Sequence, residues 1–157
     1  MCIRDRATRG RLGLVAEQSL YNLVERRLEL EVIPAAQEYG LGIIPWSPLA
    51  GGLLAGEPQE NTGRRQSPEM QTALAERRDQ LAAFNELAGQ LDESPATLAL
   101  AWLLHQPAVA STIIGPASLE QLDAVLHVPE IVLDIETLKR CDEIFPACGP
   151  APEAYAW

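Results

Sequence analysis

Residues 40–52 (GLGIIPWSPLAGG) constrain this chain more than any other stretch, because a glycine stop, a short apolar run and a Pro/Ser/Gly turn follow one another without a gap. Residues 41–44 are too few for a helix and are bounded by breakers, so they read as a buried strand. Trp46, Ser47 and Pro48 then stand where that strand ends. Pro48 has no backbone donor, and Gly51 and Gly52 tolerate positive φ, so the chain must leave the strand in a tight, backbone-exposed loop. Loops at the carboxyl ends of strands are where α/β proteins bind ligands. An indole, a hydroxyl and bare amides suit a flat heterocycle and a phosphate. Taken alone, the same spacing equally allows Trp46 as a core aromatic and the two glycines as a plain turn.

The rest of the composition narrows the classes. The chain's 157 residues are enough for one ordinary domain. Its 47% apolar and 22% charged content is that of a soluble globular protein. No apolar run approaches the ~18 residues of a membrane span, and the net charge of −10 argues against nucleic acid or an anionic membrane as partner. Any phosphate must therefore be held locally. Cys2, Cys141 and Cys148 form no CxxC pair and have no clustered histidine, which points to reduced thiols, no zinc site and a cytoplasmic setting. Residues 1–10 lack the apolar core of a signal peptide and have no periodicity. MCIRDR matches one frame of a common sequencing adapter, so this start reads as non-native, or else as a short disordered tail, and the chain as a gene fragment. Residues 11–149 carry the fold and residues 150–157 form a tail, either packed by its aromatics or disordered.

A second apolar run from Leu12 through Val15 to Tyr21 reads as a strand with polar Gln18 near its end. Gln18 is either a solvated side chain or an amide able to pair with another amide. A helical period follows, with the helix proper starting near Glu31 and stopping at Gly40. Strand, helix and the residue 41–44 strand make a βαβ unit with a right-handed crossover. Residues 57–66 read as a long polar loop, a lid or simply disordered, with Arg64 and Arg65 its basic pair. Ser67-Pro68-Glu69 starts a helix whose stripe runs Leu74, Leu81, Phe84, Leu87, Leu91. Ser94-Pro95 starts another, apolar nearly all round, ended by His105 as a cap rather than a ligand. Residues 109–114 are β-branched and bounded by Pro107 and Gly115-Pro116, which predicts a third strand. Ser118-x-x-Gln121 has capping-box spacing immediately after that strand's glycine turn. Free amides there would make an anion site without a basic side chain, although an ordinary capped helix has the same signature. A last helix starts at Asp134, with Ile135, Leu138, Cys141, Ile144 and Phe145 on its apolar side, and stops at Pro146.

The segments EQSLYNLVERRLELEVIPAAQEYGLGIIPWSPLAGGLL and SPATLALAWLLHQPAVASTIIGPASLEQL together resemble the aldo-keto reductases, in particular bacterial relatives of potassium-channel β subunits. The resemblance implies an α/β fold, a (β/α)8 TIM barrel of which this chain is the C-terminal part, about the last three strands with their helices, hence an incomplete barrel. It implies an NAD(P)H-dependent oxidoreductase that reduces aldehydes or ketones to alcohols, with NADP(H) as cofactor, NAD(H) as the alternative, and a small carbonyl substrate. By position, Gln18 looks like the amide that holds the nicotinamide carboxamide and Trp46 like the aromatic that stacks on the ring. Ser47, Pro48, Leu49, Ala50 and Gly51 look like the pyrophosphate loop, and Gly115, Ala117, Ser118 and Gln121 like the adenosine end. The family's catalytic Asp, Tyr, Lys and His belong to the missing N-terminal half, so no catalytic residue is assigned here and the fragment itself is expected to be inactive. Glu57 stands where relatives often carry Lys, Ala117 where Arg or Ser is usual, and Ala124 and Val125 where Glu and Asn are common. Arg64 or Arg65 could supply a replacement charge. The competing expectation is a non-catalytic module that binds nicotinamide nucleotide or docks on a partner.

Overall fold

The computed structural model describes residues 13–56 and 66–149, with Thr8 and Gly10 before them. Two parallel strands, β1 (Ala16–Leu20) and β2 (Gly42–Trp46), are joined by a 3-10 turn at Arg27–Glu29 and helix α1 (Val32–Tyr39). The helix ends as its sequence requires: Gly40 takes φ 65°, ψ 40° and donates to the carbonyls of Ala36 and Gln37. The βαβ expectation therefore holds, with β1 starting at Ala16 rather than near Leu12. Leu14 and Val15 lie ahead of it, 48% and 54% exposed, and Leu12 is outside the described residues.

The expected third strand is not a regular strand. Its first residues pair with β2 in parallel, Ile43 with Val109, through Ile43 N–H to Ala108 O at 2.7 Å and Ala110 N–H to Ile43 O at 2.9 Å. Amides of β2 alternate sides: Gly42 N–H goes to Val15 O and Ile43 N–H to Ala108 O. The next donor on the Ala108 side would come from Pro45, which has none. The ladder slips there, and the next bond is Ile113 N–H to Pro45 O at 2.9 Å. Within the slipped stretch the buried hydroxyl of Thr112 has no hydrogen-bond partner among the described residues. Gly42 is required by the same approach, because a β-carbon on it would lie 2.8 Å from that of Ala110.

Beyond the sheet come α2 (Pro68–Glu76), α3 (Arg78–Gln90), α4 (Pro95–Leu104), α5 (Leu119–Asp123) and α6 (Ile135–Ile144). Ser67, Ser94 and Asp134 cap α2, α4 and α6, each side chain accepting the amide three residues on. The single stripe expected from Leu74 to Leu91 is broken at Arg77 into two helices. No breaker stands there; the two halves have different anchors, since Met70 of α2 reaches the Gly51 turn while α3 buries Phe84, Leu87 and Ala88. Leu91 lies past the end of α3, 37% exposed, and Ile135 is 85% exposed instead of joining the apolar side of its helix.

Helix α4 is the centre of the core. Every residue from 97 to 103 is buried, as its all-round apolar sequence predicts. Trp102 meets the Tyr21 ring at 5.6 Å and lies under the Arg26 guanidinium at 5.0 Å. Arg26, 7% exposed, donates to Glu29 Oε1, Asp142 Oδ1 and the Phe145 carbonyl, each at 2.7 Å, so it ties the loop after β1 to α6. Phe145 in turn packs edge-on against Phe84 at 5.5 Å.

Candidate functional site

Because the strands are parallel, their carboxyl ends lie together. Register pairs Gln18 with Ile44 and Leu20 with Trp46. Side chains alternate faces along a strand, so Ala16, Gln18 and Leu20 share one face with Gly42, Ile44 and Trp46. The opposite face carries Ile43 and Pro45, both buried. Gln18 is exposed and Trp46 is 43% exposed. The tryptophan buried in the described core is Trp102, not Trp46.

The loop after Trp46 turns through four left-handed residues: Ser47 (φ 55°), Ala50 (φ 50°), Gly51 (φ 68°) and Gly52 (φ 104°). Glycine adopts this region freely, whereas a residue with a β-carbon is strained there by roughly 1–2 kcal/mol. The loop is held from within by Ala50 N–H to Ser47 O at 2.9 Å, Gly52 N–H to Leu49 O at 2.9 Å and Leu54 N–H to Leu49 O at 3.1 Å. It is held from without by Asn22, a buried residue that donates from Nδ2 to Ser47 O at 3.0 Å. Sequence reasoning missed Asn22. An Asn at a strand end signals a turn in which its own side chain caps the next amides, and Asn22 Oδ1 does accept from Val24 N–H and Glu25 N–H, each at 2.9 Å.

The segment beyond Ile113 leaves the sheet at the same end as Trp46, since Ile113 is bonded to Pro45. There Gly115 is open, with nothing within 4 Å of where a β-carbon would be. Ser118 caps α5, accepting from Gln121 N–H at 3.3 Å, and Gln121 Oε1 accepts from Ala117 N–H at 2.8 Å. Two of the amides expected to be free are thus capped by the chain itself. The Ser118 hydroxyl and the backbone amide of Glu120 lower that carboxyl's pKa, so a negative charge already sits at this turn.

Tyr21, both histidines and Lys139 have partners of their own. The Tyr21 hydroxyl donates to Glu29 at 2.7 Å, and burial, reinforced by that carboxylate, pushes its phenol well above the ordinary range. His105 Nε2 accepts from Leu133 N–H at 3.0 Å while Nδ1 faces Ala101 O at 2.8 Å, the neutral tautomer of a helix-end cap. His127 meets Glu93 at 3.1 Å, and Lys139 lies 3.8 Å from Glu143. Among the described residues no three metal-type side chains cluster, and no helix is long and apolar enough to cross a membrane. Glu57, Arg64 and Arg65 lie outside the described residues. A 450 Å³ hollow lined by Gly40, Gly42, Pro107 and Val109 lies at the opposite, amino end of β2.

The model of the aldo/keto reductase family matches residues 3–145. The uncharacterized oxidoreductase YrpG of Bacillus subtilis is 44% identical over 93% of this chain and 45% of its own length. A putative voltage-gated potassium channel subunit beta of Schizosaccharomyces pombe is 35% identical over 83% of the chain and 42% of its own length. The L-glyceraldehyde 3-phosphate reductase of Escherichia coli is 33% identical over 72% of the chain and 36% of its own length. The chain thus spans less than half the length of each of these relatives.

Proposed function

Since the chain belongs to the aldo/keto reductase family, we propose that it is the cofactor-binding, C-terminal portion of an NAD(P)H-dependent reductase of aldehydes or ketones, built on the last strands of a (β/α)8 barrel and working in the cytoplasm. One observation carries the reading: register puts the Gln18 carboxamide and the Trp46 indole on the same exposed face, at the mouth of a loop of left-handed residues. A flat, amide-bearing ring fits those groups, the indole by stacking and Gln18 by donor-to-acceptor pairing. Bound there, a nicotinamide dinucleotide would supply the hydride.

Ser47, Pro48, Leu49, Ala50 and Gly51 would wrap the pyrophosphate, with the Ser47 hydroxyl and the amides of Leu49 and Gly51 as donors, since Pro48 has no N–H and Ala50 N–H is given to Ser47 O; no basic side chain is needed. Gly115, Ala117, Ser118 and Gln121 would take the adenosine end. Gln121 would have to release Ala117 N–H, and the depressed Glu120 carboxyl disfavours a further phosphate there, which bears on NADP(H) against NAD(H). A proton donor is not assigned among these groups: the Tyr21 hydroxyl is given to Glu29, His105 lies between Ala101 and Leu133, and Lys139 faces Glu143. The chain alone is therefore expected to bind cofactor without turning it over.

Titrating the purified chain with NADPH, and separately with NADH, while following tryptophan emission tests the site. Quenching is expected, reduced in Trp46→Leu with the Trp102 signal left in place. Unchanged emission from a folded sample would remove Trp46 from the site. NADPH-dependent reduction of an aromatic aldehyde by the chain alone would contradict the assignment of the proton donor elsewhere.

A further inference from the structure

The turns after β1 and β2 are separate in sequence but share one fastener, the side chain of Asn22. Its Oδ1 closes the first turn on the amides of Val24 and Glu25. Its Nδ2 crosses 25 residues of sequence to the carbonyl of Ser47. That oxygen also accepts Ala50 N–H, so both of its lone pairs are used, and both bonds hold the residue in its left-handed conformation. Asn22 is 1% exposed and cannot exchange this bond for one to water. A serine at φ 55° without such a hold would relax toward extended backbone and carry Pro48, Leu49 and Ala50 with it.

We propose that Asn22 is a positioning residue, which fixes the shape of the 47–52 loop and so sets the affinity of that loop for a nicotinamide dinucleotide without touching it. The second half of that statement rests on the cofactor reading above. The first half does not.

Asn22→Asp separates the two bonds: it keeps an acceptor for Val24 and Glu25 but faces the Ser47 carbonyl with an oxygen. The variant is expected to bind NADPH about tenfold more weakly, the scale of one lost buried hydrogen bond. In a Ser47→Gly background, where the left-handed turn no longer needs holding, the same change is expected to cost no more than about twofold. Amide hydrogen exchange, read by mass spectrometry on the ligand-free chain, should quicken at Ala50 and its loop while the α4 peptides keep their protection. A merely structural role would give equal losses in both backgrounds, with exchange quickening throughout, and would overturn the proposal. Unaltered exchange in the loop overturns it as well. If the wild-type chain binds neither NADPH nor NADH, the cofactor reading fails by itself, and the loop-confined exchange still decides whether Asn22 is the fastener. Asn22→Ser, which keeps a hydroxyl acceptor and loses Nδ2, serves for the same comparison should the aspartate variant not fold.

Discussion

At the scale of single residues, β2 has two positions whose consequences fall on the neighbouring segment. Gly42 allows Ala110 to approach, and Gly42→Ala is expected to lose about 1–3 kcal/mol, since its new β-carbon would lie 2.8 Å from that of Ala110. Pro45 withholds a donor, and in the slipped stretch beside it the Thr112 hydroxyl is buried with no partner among the described residues. Thr112→Val keeps the shape and removes the unpaired group, so urea unfolding should show a gain of about 1 kcal/mol, opposite in sign to Gly42→Ala. The sequence makes part of this visible. Gly40 and Pro48 punctuate the strand, and the turn glycines were readable from their neighbours. The slip was not, because the effect of Pro45 depends on which neighbouring segment its nitrogen faces, and that is decided by register. The Asn22–Ser47 bond was hidden for the same reason: only parallel pairing brings those two turns together.

At the scale of elements, helix starts were the most legible feature. Ser67-Pro68, Ser94-Pro95 and Asp134 all cap as read, because a cap needs only residues within four positions of one another. What holds the helices against the strands was not legible. Arg26 looks in sequence like one charge in a polar run, yet it is buried against Trp102 and bonded to Glu29 and Asp142. Burial works against its charge, and the hydrogen bonds to Glu29 and Asp142 outweigh that, raising its pKa above the ordinary value. Arg26→Met is expected to destabilise by about 3 kcal/mol, since it strands Glu29 beside the core. Adding Glu29→Gln should restore part of the loss. Equal midpoints for Arg26→Met and wild type in thermal unfolding would mean that α6 is held by apolar packing alone.

At the scale of the whole molecule, pH and surface both leave a signature. The Arg27 hydrogen bond lowers the Glu25 carboxyl below its ordinary 4.5, and the amide of Thr137 lowers the Asp134 carboxyl below 3.8. Depressed carboxyls add stability that is present above those ordinary values and lost as pH falls through the depressed ones. Cys141 acts in the other direction: burial, with Asp142 near it, pushes the thiol from 9.0 up to about 12. Its contribution is intact below 9.0 and fades as pH rises toward 12. Thermal midpoints should therefore form a plateau with an acid and an alkaline shoulder, the alkaline one flattened in Cys141→Ala. The outer edge of β1 has no described partner, and Leu14, Val15, Trp46, Ile113 and Ile114 are all at least 39% exposed. Concentration-dependent association is expected in light scattering, and Val15→Lys should reduce it without moving the thermal midpoint.

The slip at Pro45 also bears on distance. Between the bonds at Ile43 and Ile113, residues 110–112 contain one more residue than regular pairing would use, a length of about 3.3 Å. That surplus is taken up between Ala110 and Ile113, ahead of the segment leading to Gly115 and Ser118. The odd count reverses which way successive side chains face, so Ile113, bonded to Pro45, stands where regular pairing would have set Thr112.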